Sequence, residues 1–176
     1  RGRAYMGVGR NLAYTAEEFY ENKGFVSHMH ILSGDDDLFI NQIASKKNTS
    51  IIYTPDSFTF SKAKSTWKQW FAQKRRHVST AKYYKKTQQL KLGLFYLSQF
   101  WFWFLSFVLV SLFNWQWVLG VILLRAFVLY LTYAKATKVF QEKALLWWLP
   151  FQDLTLVSLQ MLIFIRNSIA KPIHWK

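Results

Sequence analysis

The chain is 176 residues long, 52% hydrophobic and strongly basic, with 23 Lys and Arg against 9 Asp and Glu for a net charge of +14. It contains no cysteine, which excludes disulfide, zinc-thiolate and thiol-nucleophile chemistry. The apolar residues are concentrated in the second half, so only about the first 90 residues are available to build a water-soluble core, a modest one at best.

The opening Arg1-Gly2-Arg3 carries no Met and no apolar signal region, so the chain reads as the continuation of a longer protein. Ala4 to Gly9 is expected to form a short strand entering a glycine turn, continued by Asn11 to Tyr14. Thr15 and Glu18 have capping-box spacing, which predicts a helix from Ala16 to Asn22 that stops at Gly24. Phe25 to Leu32 reads as strand or loop leading to Gly34-Asp35-Asp36-Asp37, with a helix over Leu38 to Ala44. Lys46 to Asn48 is a loop, and Ile51 to Thr54 has strand character ended by Pro55.

From Ser61 to Lys91 there are ten Lys or Arg and no Asp or Glu. At 100° per residue, Trp67, Trp70, Phe71, Val78 and Ala81 share one arc, the face that an interfacial helix buries. Gln73, Arg76 and His77 share a different arc at i, i+3 and i+4. The run directly precedes an apolar segment, which favours an anionic lipid surface over nucleic acid as its partner.

Leu92 to Phe113 holds 22 residues without a charge, roughly 33 Å as a helix and enough to cross a bilayer core of about 30 Å. Trp115 to Ala134 is a second such run, interrupted by Arg125. Leu145 to Ile165 is a third and weaker one, containing Pro150 and Asp153, and is expected either to span or to be broken and re-entrant. The basic segment before Leu92 and the basic link Lys135 to Lys143 are expected on the cytoplasmic side. A mid-span Arg needs a partner, and Asp153 is the candidate for Arg125. Nine Trp and nine Tyr, many near the span ends, suit an interfacial belt.

The residues that could carry chemistry have several readings. The three Asp residues fit a solvated turn and helix start, a general base of raised pKa, or a metal site. Gln73, Arg76 and His77 fit either a basic face against headgroups or a diphosphate clamp, since Arg suits bidentate phosphate contacts. His28, His30 and His174 are expected at the surface or interface, with no third metal ligand evident.

The order of Asn-x-Ala-Tyr beside a glycine turn, then Gly-Asp-Asp, then Gln-x-x-Arg-aromatic, then spans resembles the C-terminal half of membrane-bound family 2 glycosyltransferases. These include the hyaluronan, chitin and cellulose synthases and the ceramide glucosyltransferase-like group, whose Trp-basic tail is similar to Ile173-His174-Trp175-Lys176. The resemblance covers about Ala4 to Lys91 by motif. It implies a general base at Asp36, or at Asp37 if Phe39-Ile40 sets the register, with Asp35 alongside in the substrate site. It implies that Gln73, Arg76 and His77 close over the nucleotide diphosphate and acceptor, with His77 standing where the family has Trp, and that Asn11 and Tyr14 line the pocket.

The fold class so implied is α/β plus membrane α-helical. Residues 1–60 would be the C-terminal part of a GT-A type catalytic domain, 61–91 a basic amphipathic interfacial helix, and 92–176 a region of two to three transmembrane helices. The implied function is inverting transfer of a sugar from a nucleotide-sugar to a lipid-linked or polysaccharide acceptor at a membrane, with the catalytic part on the cytoplasmic side of a bacterial inner membrane. No nucleic-acid partner is expected. The family's DxD motif has no counterpart here. The resemblance therefore implies that the ligands of its divalent cation (Mg or Mn) lie outside this chain, and that the chain alone turns little over. The alternative is a non-enzymatic membrane-anchored protein whose basic helix binds anionic lipid or a partner.

Overall fold

The computed structural model describes residues 4–31 and 33–170. Six α-helices follow one another: α1 (Ala16–Glu21), α2 (Asp35–Ile43), α3 (Trp67–Thr80), α4 (Lys86–Leu112), α5 (Trp115–Val139) and α6 (Leu149–Ile169). Short 3-10 turns occur at Gly9–Asn11, Val26–His28, Pro55–Ser57, Ala81–Tyr83 and Lys143–Trp148.

There is no β-strand among the described residues, which overturns the expected α/β, GT-A type domain. The physical reason is that a strand exists only through its ladder. Residues 4–8 are irregular rather than laddered, and the Tyr5 carbonyl accepts from the Asn41 side-chain amide at 2.8 Å. Ile51, Ile52 and Tyr53 have strand-forming side chains, yet all three are exposed and belong to no element. The stretch 25–31 folds as turns around the Val26–His28 3-10 helix.

One compact unit comprises the described residues up to Lys91 and those from Leu162 on. Its core is small and aromatic. Phe39 of α2 is 0% exposed and packs with Ile40 and Ala44 against Leu12, Phe19, Phe25 and Ile43. Ring centroids of Phe39 lie 4.9 Å from Tyr14 and 5.6 Å from both Phe19 and Phe25. Helix α1 starts as the spacing predicts, with the Glu18 N–H donating to Thr15 Oγ1 at 3.2 Å. It ends at Glu21, and the chain turns away through Lys23 and Gly24, whose φ values are 58 and +53; a Cβ on Gly24 would sit 2.6 Å from Phe19 Cζ.

The second unit is Leu92–Met161. Helices α4 and α5 are joined through Phe113 and Asn114, whose side chain caps α5 by accepting the Gln116 N–H at 3.0 Å. The segments Lys86–Leu112, Trp115–Val139 and Lys143–Ile169 are each long and apolar enough to cross a membrane. The third run is continuous helix from Leu149, and Pro150 falls in its first turn, where a missing N–H breaks no intrahelical bond.

Arg125 and Asp153 meet as the sequence predicts. Arg125 Nε donates to Asp153 Oδ2 at 2.9 Å and Nη2 to Oδ1 at 2.9 Å. Trp103 Nε1 donates to the same carboxylate at 3.1 Å, Arg125 also donates to Gln99 Oε1, and its guanidinium lies 4.4 Å from the Phe102 ring centroid. Within this unit the cluster ties together α4, α5 and α6.

Candidate functional site

The acidic cluster is not a turn ahead of a helix but the first turn of α2 itself, which begins at Asp35, three residues earlier than expected. Three carboxylates there complement the partial positive charge of the helix N-terminus. Gly34 precedes them with φ +89, and a Cβ at this position would lie 2.6 Å from Thr80 Cγ2 of α3. Glycine thus serves both the left-handed backbone and the close approach of α3.

The three aspartates have different surroundings. Asp35 is exposed. Asp36 is half-buried and held by two backbone donors, with Gly9 N–H donating to Oδ2 at 2.6 Å and Asp37 N–H to Oδ1 at 2.9 Å. Asp37 is buried behind it, and its Oδ2 accepts from the Thr80 hydroxyl at 3.4 Å while Oδ1 has no hydrogen bond. Burial pushes the Asp37 pKa up and the neighbouring Asp36 carboxylate adds to this, while Tyr84, Thr80 and the Gly7 N–H offset part of the rise. Tyr84 is itself buried, which pushes its pKa up.

Helix α3 approaches through the face carrying Gln73, Arg76 and His77, because Thr80 lies on that same face seven residues after Gln73. Gln73 and Arg76 are half-buried. The His77 pKa is lowered by partial burial and then by Arg76 and Lys74, against an opposing pull from Asp36, with Arg10 also lowering it. The glycine turn and the start of α2 meet at the Gly9–Asp36 hydrogen bond, and α3 packs on the start of α2 through Thr80.

Asn11 and Tyr14 take no part in that junction. The Asn11 side chain donates to the Ser57 carbonyl at 3.2 Å, and the Tyr14 ring stacks on Phe19 at 5.7 Å and leans on Phe39. Arg10, next to Gly9, donates to Ser61 Oγ, so the 57–61 segment lies along the glycine turn.

Sequence reasoning missed four positioning groups. Thr80 is 1% exposed and was legible as i+7 on the Gln73 face. Tyr84 gave no local signal. Buried Asn41 donates to the Tyr5 carbonyl and accepts the Lys85 N–H at 3.0 Å, joining the N-terminal segment, α2 and the junction after α3. His28 was expected at the surface but is buried, with its pKa lowered mainly by that burial and partly restored by Asp35.

Among the described residues no group of three or more His, Cys, Asp or Glu side chains is arranged to hold a metal ion. The ending Ile173 to Lys176 and its His174 lie outside the described residues. Comparison with protein-family models, with curated proteins and with solved structures finds no match to this chain.

Proposed function

We propose that this chain carries the acceptor-activating part of a membrane-bound, inverting glycosyltransferase of the family 2 type. It moves a sugar from a nucleotide-sugar to a lipid-linked or polysaccharide acceptor at the cytoplasmic face of a bacterial inner membrane. The observation that carries the reading is the placing of Asp36. It is a half-exposed carboxylate oriented by two N–H groups, at the junction of the glycine turn and the start of α2, against which α3 packs through Thr80.

In the proposed reaction Asp36 accepts the proton of the acceptor hydroxyl. The acceptor oxygen then forms its bond to the anomeric carbon as the bond from that carbon to the diphosphate oxygen breaks. The nucleoside diphosphate leaves with the bonding pair, and Gln73 and Arg76 hold its negative charge. Asp37, beneath Thr80, positions the turn that carries Asp36. The family resemblance also implies a divalent cation. The described residues do not build a site for one, and the proposed steps use only this chain's own groups.

The test is Asp36→Asn in the full-length protein, assayed in detergent against a panel of nucleotide-sugars with Mg²⁺ or Mn²⁺. Turnover is expected to fall by about 10²–10⁴-fold with membrane insertion intact, the usual contribution of a general base. Loss with Asp37→Asn but not Asp36→Asn would move the base by one residue. Full activity in both variants would overturn the reading and favour a membrane-anchored binding protein.

A further inference from the structure

The second unit carries a cleft that the proposed activity does not use. It has a volume of about 320 Å³ and lies between the last third of α5 and the 3-10 turn Lys143–Trp148, lined by Tyr130, Ala134, Lys138, Lys143, Leu146 and Trp147. Its chemistry is divided along its length. Lys138 and Lys143 flank the reversal at residues 140–142, where the chain turns back. Ala134 and Tyr130 follow from Lys138 along α5, and Leu146 and Trp147 follow from Lys143 along the returning segment. The Trp147 indole is 89% exposed.

Neither lysine has a carboxylate partner, since among the described residues the ion pair formed is Arg125–Asp153. Glu142 stands in the reversal itself, and with Lys135, Lys138 and Lys143 the segment keeps a net charge of +2. The location supplies the second argument. Lys138 is the penultimate residue of the candidate span Trp115–Val139, and Lys143 is the first residue of the next, Lys143–Ile169. The ends of two apolar helices of spanning length lie where lipid phosphates lie, and basic groups there attract anionic headgroups.

From this arrangement we infer that the cleft binds one anionic phospholipid. Its phosphate is held between Lys138 and Lys143, and an acyl chain lies along Ala134, Leu146 and Trp147. The volume is in the range of small-molecule sites, which begins at about 300 Å³. The inference stands apart from the glycosyltransferase reading and does not rest on it.

The experiment is native mass spectrometry of the full chain released from detergent, titrated with phosphatidylglycerol and, separately, with phosphatidylcholine of the same acyl chains. Tight retention of one phosphatidylglycerol and not of phosphatidylcholine is expected. Lys138→Ala with Lys143→Ala should weaken it by about tenfold or more, from the known worth of juxtamembrane lysines. Lys46→Ala with Lys47→Ala, in the exposed loop after α2, changes net charge equally and should leave it unaltered. Ala134→Trp keeps both charges but fills the cleft, and should also abolish retention, which decides the matter if the lysine variant loses its helical circular dichroism. Equal retention of both lipids would overturn the inference, as would an unaffected Ala134→Trp variant. So would release of the lipid by millimolar glycerol phosphate, which would mark a site for free phosphate.

Discussion

Asp36 and Asp37 are adjacent in sequence, yet the helix start turns one toward a half-open site and the other into the packing beneath it. The consequence for Asp37 is a pH dependence. Its folded pKa lies above the ordinary 3.8, so the folded state favours the protonated form. Stability is then highest below pH 3.8 and falls as pH rises toward the elevated folded value, above which the whole penalty is present. Asp37→Asn removes that titration, and Tm measured in detergent between pH 4 and 7 should lose the corresponding downward slope. An unchanged slope would show that Asp37 titrates normally. Gly34 is the second residue with a clear outcome. An Ala there combines a left-handed backbone with a contact of 2.6 Å to Thr80, and should destabilise the fold by about 2–3 kcal/mol in denaturant titrations.

At the scale of elements, α2 does more than carry aspartates. One of its faces presents Phe39 and Ile40 to the aromatic core, and Asn41 stands beside them with both ends of its amide used. Asn41→Ala would leave the Tyr5 carbonyl and the Lys85 N–H without these partners and open a gap. A loss of about 2–4 kcal/mol is expected, with faster amide exchange at Lys85 as its local signature. Helix α3 is held on its other side as well. Arg75 Nε donates to Asn167 Oδ1 at 2.8 Å, and the Arg75 carbonyl accepts from Asn167 Nδ2 at 3.0 Å. The basic helix is therefore fixed by its two flanks, through Arg75 and through Thr80, while Trp67 and Val78 stay exposed in keeping with the expected interfacial face. The segment expected as one helix from 61 to 91 is divided at Tyr84 and Lys85, where the Asn41 bond takes the place of a helical one.

At the scale of the whole molecule, helices of spanning length turn large apolar side chains outward, among them Phe107, Leu123, Phe127, Leu131 and Phe164. The Arg125–Asp153 pair has side chains 17% and 14% exposed and bonds to Gln99 and Trp103 as well. Arg125→Ala would leave Asp153 an uncompensated charge and should cost about 3–5 kcal/mol. Arg125→Met combined with Asp153→Leu should cost far less, because both charges go together. Thermal unfolding of the two variants in the same detergent checks this, and equal losses would mean the pair acts through packing alone.

Much of this was determined by the sequence alone, because it depends on local pattern. Apolar runs of spanning length, the Thr15 cap, the Gly24 stop and the Gln73–Arg76–His77 face all follow from residue spacing. The Arg125–Asp153 pairing follows from the cost of a lone charge in an apolar run. Only the tertiary structure decided the rest. The expected strands do not form, because β-propensity at residues 51–54 has no effect without a neighbouring ladder. The different surroundings of the three aspartates depend in part on a donor 27 residues away, the Gly9 N–H that binds Asp36. Asn41 and Tyr84 became positioning groups through contacts with segments distant in sequence, which no window along the chain contains.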